Sequence, residues 1–162
     1  MGAEAERPGG APRIALAGDL DVVRGLFREY LAPLGDVAAH LVGFEAEVQA
    51  LPAGYDFILL ADAHGGCVAV RDLGDGICEM KRLYVSPSAR GTGAGRALAS
   101  TAIEHARSRG YRAMRLDTLP AMRAAQALYE SLGFIEIPPY WQHPVADARF
   151  MELDLRLPPS GT

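Results

Sequence analysis

The chain is poor in cysteine, in aromatics and in positive charge, it has no long hydrophobic run, and each shortage excludes something. Its 162 residues include two cysteines, Cys67 and Cys78. If Val68 to Arg71 and Ile77 to Met80 pair as a hairpin about Leu73-Gly74-Asp75-Gly76, Cys78 comes opposite Arg71 and away from Cys67, which argues against a disulfide. No Cys-x-x-Cys pair occurs, and His40, His64, His105 and His143 are scattered, so no metal site is expected. A formal net charge of -4 offers no positive blanket to a phosphate backbone, and nucleic acid is not an expected partner. No apolar run approaches the roughly 20 residues that cross a bilayer, and the polar start from Met1 to Arg13 lacks the apolar centre of a signal peptide. The expectation is a cytoplasmic protein with no membrane contact.

What is present is a core-forming composition, 49% hydrophobic, enough for one domain. Residues 1–12 are expected to be disordered, 13–157 to form the domain and 158–162 a tail. Arg13 to Ala17 reads as a strand, and Asp19 as the N-cap of a helix reaching Leu31, with Val22, Val23, Leu26, Phe27 and Tyr30 at helical spacing. A second helical segment, Ala38 to Leu51, is interrupted by Gly43. Strands follow at Tyr55 to Ala61, Cys67 to Arg71 and Ile77 to Val85. The pattern then turns helical from Ala94 to Arg109 and stops at Gly110. A strand at Arg112 to Leu119 leads to Pro120 as a helix-start residue and a helix from Ala121 to Leu132, with Ala124, Ala125, Leu128 and Leu132 inward and Gly133 as C-cap. Phe134 to Ile137 and Phe150 to Leu155 close the chain as strands.

Between the longest strand and the longest helix lies Arg90-Gly91-Thr92-Gly93-Ala94-Gly95-Arg96. Three glycines in five residues bare backbone N–H groups at a helix start, which suits a phosphate. The ATP-type loop is absent, because Gly95 is followed by Arg96 and Ala97 instead of Lys and Ser or Thr. A dinucleotide-type loop fits Gly91, Gly93 and a downstream Asp117, but its third glycine is Arg96, and five residues separate it from the strand.

A third design fits better. Arg90-x-x-Gly93-x-Gly95, preceded by Leu83-Tyr84-Val85-Ser86-Pro87 and followed by Ala127-Leu128-Tyr129-Glu130-Ser131-Leu132-Gly133-Phe134, resembles the GCN5-related N-acetyltransferase (GNAT) superfamily over Cys78 to Phe134. The resemblance implies an α/β (α+β) fold, a central mixed, mostly antiparallel twisted sheet of about six to seven strands flanked by about four helices. It also implies acetyl-CoA as co-substrate. Gly91, Thr92, Gly93, Ala94, Gly95 and Arg96 would present N–H groups to the pyrophosphate, with Arg90 opening the loop. The main chain of Leu83, Tyr84 and Val85 would pair with the pantetheine arm, and an N–H near Leu83 would polarise the thioester carbonyl.

Transfer to an amine needs a base for the ammonium proton and an acid for the thiolate. Glu79, expected on the same strand face as Lys81, Leu83 and Val85, stands where some family members place a catalytic glutamate; the alternative is a structural carboxylate paired with Lys81, Arg82 or Arg71. Tyr129 matches the tyrosine that faces the sulfur in many relatives, against the alternative of plain core packing. Asp117 is the reserve base or amine-holding group. Relatives often carry an asparagine where this chain has Met122, so the cofactor contact it makes would pass to Thr118 or Arg123.

For the acceptor, the resemblance points to Tyr30, Leu34, His40, Phe44, Glu45 and Glu47 on the first two helices. Tyr140, Trp141 and His143 follow Pro138-Pro139 in the last loop. Tyr30 and Phe44 equally continue apolar spacing. The expected reaction is acetylation of a primary amine of a small or amino-acid-like molecule. A protein amino group and a non-catalytic acyl-CoA sensor are the alternatives, and a homodimer is left open.

Overall fold

The computed structural model describes residues 12–33 and 43–158. Leu34, His40, the first residues of the second expected helix, and most of the expected disordered start and tail lie outside the described residues. Asp19 caps the first helix as anticipated: its side chain accepts from the N–H groups of Asp21 and Val22 at 3.0 and 3.3 Å. That helix, α1 (Leu20–Leu31), buries Val23, Leu26 and Phe27. The second, α2 (Phe44–Ala50), begins only after Gly43, which sits at φ 88° and ends the interruption seen in the sequence.

Seven strands form one sheet: β1 (Ile14–Leu16), β2 (Phe57–Ala61), β3 (Gly66–Gly74), β4 (Ile77–Val85), β5 (Ala113–Thr118), β6 (Ile135–Ile137) and β7 (Arg149–Asp154). Their order is β1-β2-β3-β4-β5-β7-β6, and β4 and β5 alone run parallel. The connection between these two is α3 (Ala94–Ser108), as a parallel pair requires. With α4 (Arg123–Ser131) this makes four α-helices among the described residues. The mixed, mostly antiparallel sheet is the one expected. The cysteines are free and buried, with Cys78 opposite Asp72, one residue from the expected register.

Two apolar clusters cover the sheet. On one face α3 lays down Leu98, Ala99, Ala102 and Ala106 against Val68, Val70, Met80, Met114 and Leu116. The small residues bring the helix close, and each large apolar side chain buried there contributes ~1.5–3 kcal/mol. On the other face α1 and α2 pack Phe27, Phe44 and Val48 on Ile58, Leu60 and Ala69.

Helix α4 differs from the expectation. It starts at Arg123, because Pro120 to Met122 form a turn in which Met122 donates to the Leu119 carbonyl. Its one fully covered residue is Tyr129, while Ala124 is exposed. Ala125, Leu128 and Leu132 pack against the core as expected, and Ala124, Ala125 and Leu128 also line a cleft. Among the described residues no helix is long and apolar enough to cross a membrane.

Candidate active site

The cleft exists because β4 and β5 part. They pair at Ile77–Ala113, Cys78–Met114 and Glu79–Arg115 and no further. Beyond Glu79 the β5-facing main chain of β4 has no strand partner, which leaves a ready edge for an extended ligand. The gap opens into a cleft of about 520 Å³, walled by β4 from Met80 to Val85, by Asp117 and Thr118 of β5, and by α4 with its preceding turn.

A β-bulge sets which β4 residues face it. Cys67 pairs with Tyr84 but Ala69 with Lys81, so Arg82 and Leu83 of β4 oppose Val68 alone of β3. Arg82 takes the extra place at φ 58°, a conformation that non-glycine residues rarely adopt. Glu47 binds its guanidinium at 3.1 Å, and the rings of Phe44 and Tyr30 lie 4.8 and 5.7 Å from it. Gly66 admits the irregular strand, since a Cβ there would sit 2.6 Å from the Tyr84 carbonyl oxygen. The bulge reverses the alternation. Leu83 and Val85 join Cys78 and Met80 on the α3 side, so the expectation that Glu79 shares their face is corrected.

At one end of the cleft, Arg90 and Gly95 lie on its wall, and Gly91 and Gly93 adopt φ 79° and 84°. Ala97 is the first residue to donate within α3, to the Gly93 carbonyl. Among the described residues, no N–H from Gly91 to Arg96 has a protein acceptor. Six consecutive donors, next to the positive end of a 15-residue helix, form an anion cradle. The Thr92 hydroxyl donates to the Ala89 carbonyl, and Arg96 reaches Ser131 of α4 at 2.8 Å, tying the loop to α4.

Tyr129 reaches the cleft wall from α4, packed edge-on against Phe134. Its hydroxyl has no hydrogen-bond partner among the described residues, and burial pushes its pKa up, so it stays a proton donor at neutral pH. Asp117 stands across β5 on the same wall. Trp141 Nε1 donates to its Oδ2 at 2.9 Å, and His143 Nε2 lies 3.8 Å from its Oδ1. His143 Nδ1 accepts the Val145 N–H at 2.9 Å, so in the neutral ring the proton is on Nε2, facing Asp117.

Glu79 is placed differently. Its carboxylate is buried off the cleft wall, 2.7 Å from Arg71 Nε and 3.5 Å from Lys81 Nζ, and it accepts the Tyr140 hydroxyl. Phe44 is also off the wall: it is core, 6.4 Å from Phe27 between ring centres. Tyr140 is also off the wall, packing on Phe150 and under Arg115 with its hydroxyl donated to Glu79. Tyr30 lines the cleft.

Comparison with known proteins agrees with this arrangement. The model of the acetyltransferase (GNAT) family matches residues 26–134. An uncharacterized N-acetyltransferase of Schizosaccharomyces pombe is 38% identical over 150 residues, covering 88% of this chain and 92% of that protein. The chain belongs to the GNAT family. An IAA acetyltransferase of Azospirillum brasilense is 32% identical over 140 residues, covering 83% of this chain and 92% of its own length. Among solved structures, yncA of Salmonella typhimurium, determined with its cofactor acetyl-CoA, superposes at TM-score 0.69 with 25% identity, covering 90% of this chain and 95% of that one.

Two features of this acetyltransferase were out of reach of the motif. Thr118, considered from the sequence only as a stand-in for the asparagine that Met122 replaces, lines the cleft with its hydroxyl oxygen buried and unpartnered. A buried orphan hydroxyl costs about 1–3 kcal/mol, which a ligand amide can relieve. Arg82 was read only as a partner for Glu79, because no local pattern marks a non-glycine bulge. Among the described residues, no group of three or more His, Cys, Asp or Glu side chains could hold a metal ion.

Proposed function

We propose that this GNAT protein transfers the acetyl group of acetyl-CoA to the primary amine of a small molecule, by direct attack within the cleft. The observation that carries the proposal is the parting of β4 from β5, which leaves an unpaired strand edge leading from the N–H cradle at Gly91–Arg96 to the Tyr129 hydroxyl. The residues present fit the co-substrate: six free donors suit a pyrophosphate, the β4 edge suits an amide-bearing arm, and Thr118 offers one more hydrogen bond. Acetyl-CoA supplies the activated acetyl thioester.

The chain's own residues divide the remaining work. The Leu83 N–H, turned by the bulge, is offered to the carbonyl oxygen as negative charge grows on it. Asp117 receives the ammonium and accepts its proton. The amine nitrogen then bonds to the carbonyl carbon while the carbon–sulfur bond breaks, Tyr129 gives its proton to the departing sulfur, and the second proton shed by the nitrogen restores the Tyr129 hydroxyl. Asp117 takes the place considered for Glu79 because it lies on the wall, whereas Glu79 is already held by two cations and a hydroxyl.

A small acceptor is favoured by the depth at which Asp117 sits, 18% exposed behind Trp141, and by the name of the Azospirillum relative. The test is thiol release from acetyl-CoA with a panel of small primary amines and lysine-bearing peptides, alongside thermal melting. Acetyl-CoA is expected to raise Tm, as any ligand preferring the folded state does, and small amines to release thiol. Tm stabilisation without release by any amine would favour the acyl-CoA sensor, and release by peptides alone the protein substrate.

A further inference from the structure

We infer that the acceptor is a zwitterion, a short α-amino acid or close analogue, whose ammonium meets Asp117 and whose carboxylate meets Lys81. The inference rests on the transferase reading above and names the substrate class of the same site.

Glu79 pairs with Arg115 across the last rung between β4 and β5, so Lys81 and Asp117 are the next residues on that face, two positions along each strand. One rung back, the charges are satisfied sideways: Glu79 by Arg71 of β3 at 2.7 Å and Arg115 by Glu152 of β7 at 2.7 Å. Had the strands stayed about 4.8 Å apart, Lys81 and Asp117 would form the next ion pair. They do not, because the strands have diverged. Both side chains line the cleft.

Trp141 lies against both. Its ring centre lies 5.9 Å from Lys81 Nζ, and its ring N–H donates to Asp117 at 2.9 Å. An opposite-charge pair set apart by diverging strands, with one indole against both, matches a ligand that carries both charges. The local charge balance supports this. The Glu79 carboxylate already has Arg71 and Tyr140, so Lys81, 3.5 Å away, keeps donors to spare. Arg82, the neighbouring cation, is taken by Glu47. Among the described residues Asp117 faces the ring N–H groups of Trp141 and His143, and no Lys or Arg nitrogen within 4.0 Å.

In the complex the ammonium gives one proton to Asp117, its nitrogen forms the amide bond as the carbon–sulfur bond breaks, the sulfur leaves with the Tyr129 proton, and the second proton shed by the nitrogen restores Tyr129. Lys81 only holds the carboxylate. It is therefore a specificity residue rather than part of the proton chemistry.

The test compares three acceptors on the intact protein at saturating acetyl-CoA: a set of free amino acids, their carboxamides, and the corresponding amines lacking the carboxyl carbon. At least one amino acid is expected to exceed its carboxamide by about tenfold or more in kcat/KM, the worth of one charge-assisted hydrogen bond. In Lys81→Met the ratio of acid to carboxamide is expected to fall by a similar factor, mainly through KM. Carboxamides or simple amines used as well as the acids would overturn the inference while leaving the transferase reading intact, and so would an unchanged ratio in the variant. Thiol release with no amine at all would remove both. The wild-type substrate comparison stands even if the variant does not fold.

Discussion

The two halves of the cleft are built from different materials. The donor half, from β4 through the Arg90–Arg96 loop to α3, works through main chain: free N–H groups, left-handed glycines and an unpaired strand edge. The half proposed for the acceptor is made of side chains: Lys81 and Asp117 on the wall, with Trp141 and His143 of the segment between β6 and β7 against Asp117. A main-chain site demands particular residues only where a Cβ or a φ angle forbids others, so it leaves a short, compact motif. A side-chain site can be assembled from any distance and leaves none.

Four perturbations sharpen that contrast, beginning with the largest effect. Tyr129→Phe is expected to lower kcat about a hundredfold with little change in acetyl-CoA affinity, since it removes a proton donor and keeps the ring. Steady-state kinetics beside a binding titration of acetyl-CoA check it, and an unchanged kcat would reduce Tyr129 to packing against Phe134. Glu79→Gln tests the assignment of that carboxylate to structure. Loss of the charge facing Arg71 and Lys81 is expected to cost about 1–3 kcal/mol in urea unfolding, with the pH profile of kcat/KM unmoved. A shifted profile would return Glu79 to the chemistry.

Gly93→Val is expected to raise KM for acetyl-CoA about tenfold, because a β-branched residue resists φ 84° and the cradle must distort. KM for the amine should hardly move. An effect on the amine instead would mean that the two halves are not separable. The smallest effect at neutral pH comes from the core beneath them. Burial pushes the Cys67 and Cys78 thiols from 9.0 up to about 12. A folded pKa above the unfolded one means that this contribution is complete below about pH 9 and is lost as the pH rises towards about 12, by up to about 1.4 kcal/mol per unit for each thiol. Urea unfolding between pH 8 and about 11 should show this decline, and it should be shallower in Cys67→Ala.

Much of the fold was legible in the chain itself. Asp19 as cap, Gly110 and Gly133 as stops, and the strand alternation each follow from residues within a turn of one another. The start of α4 was not, because Pro120 promises a helix that its neighbours delay until Arg123. In the site, Leu83 to Val85, Arg90 and Gly95 fall on the cleft wall together with Tyr129 and Asp117. Phe44 does not, since apolar spacing is the same for a residue that faces core and one that faces a ligand.

By itself the sequence determined the family, the order of elements and the donor loop, because those depend on backbone preferences read from adjacent residues. Tertiary structure decided which carboxylate reaches the cleft. The bulge at Arg82 turned Leu83 and Val85 away from the face of Glu79, and Tyr140, 61 residues away in sequence, covered that carboxylate. Asp117 received its Trp141 partner from 24 residues downstream. Such contacts depend on how far two strands diverge, a property of the packed sheet that no local run of residues encodes.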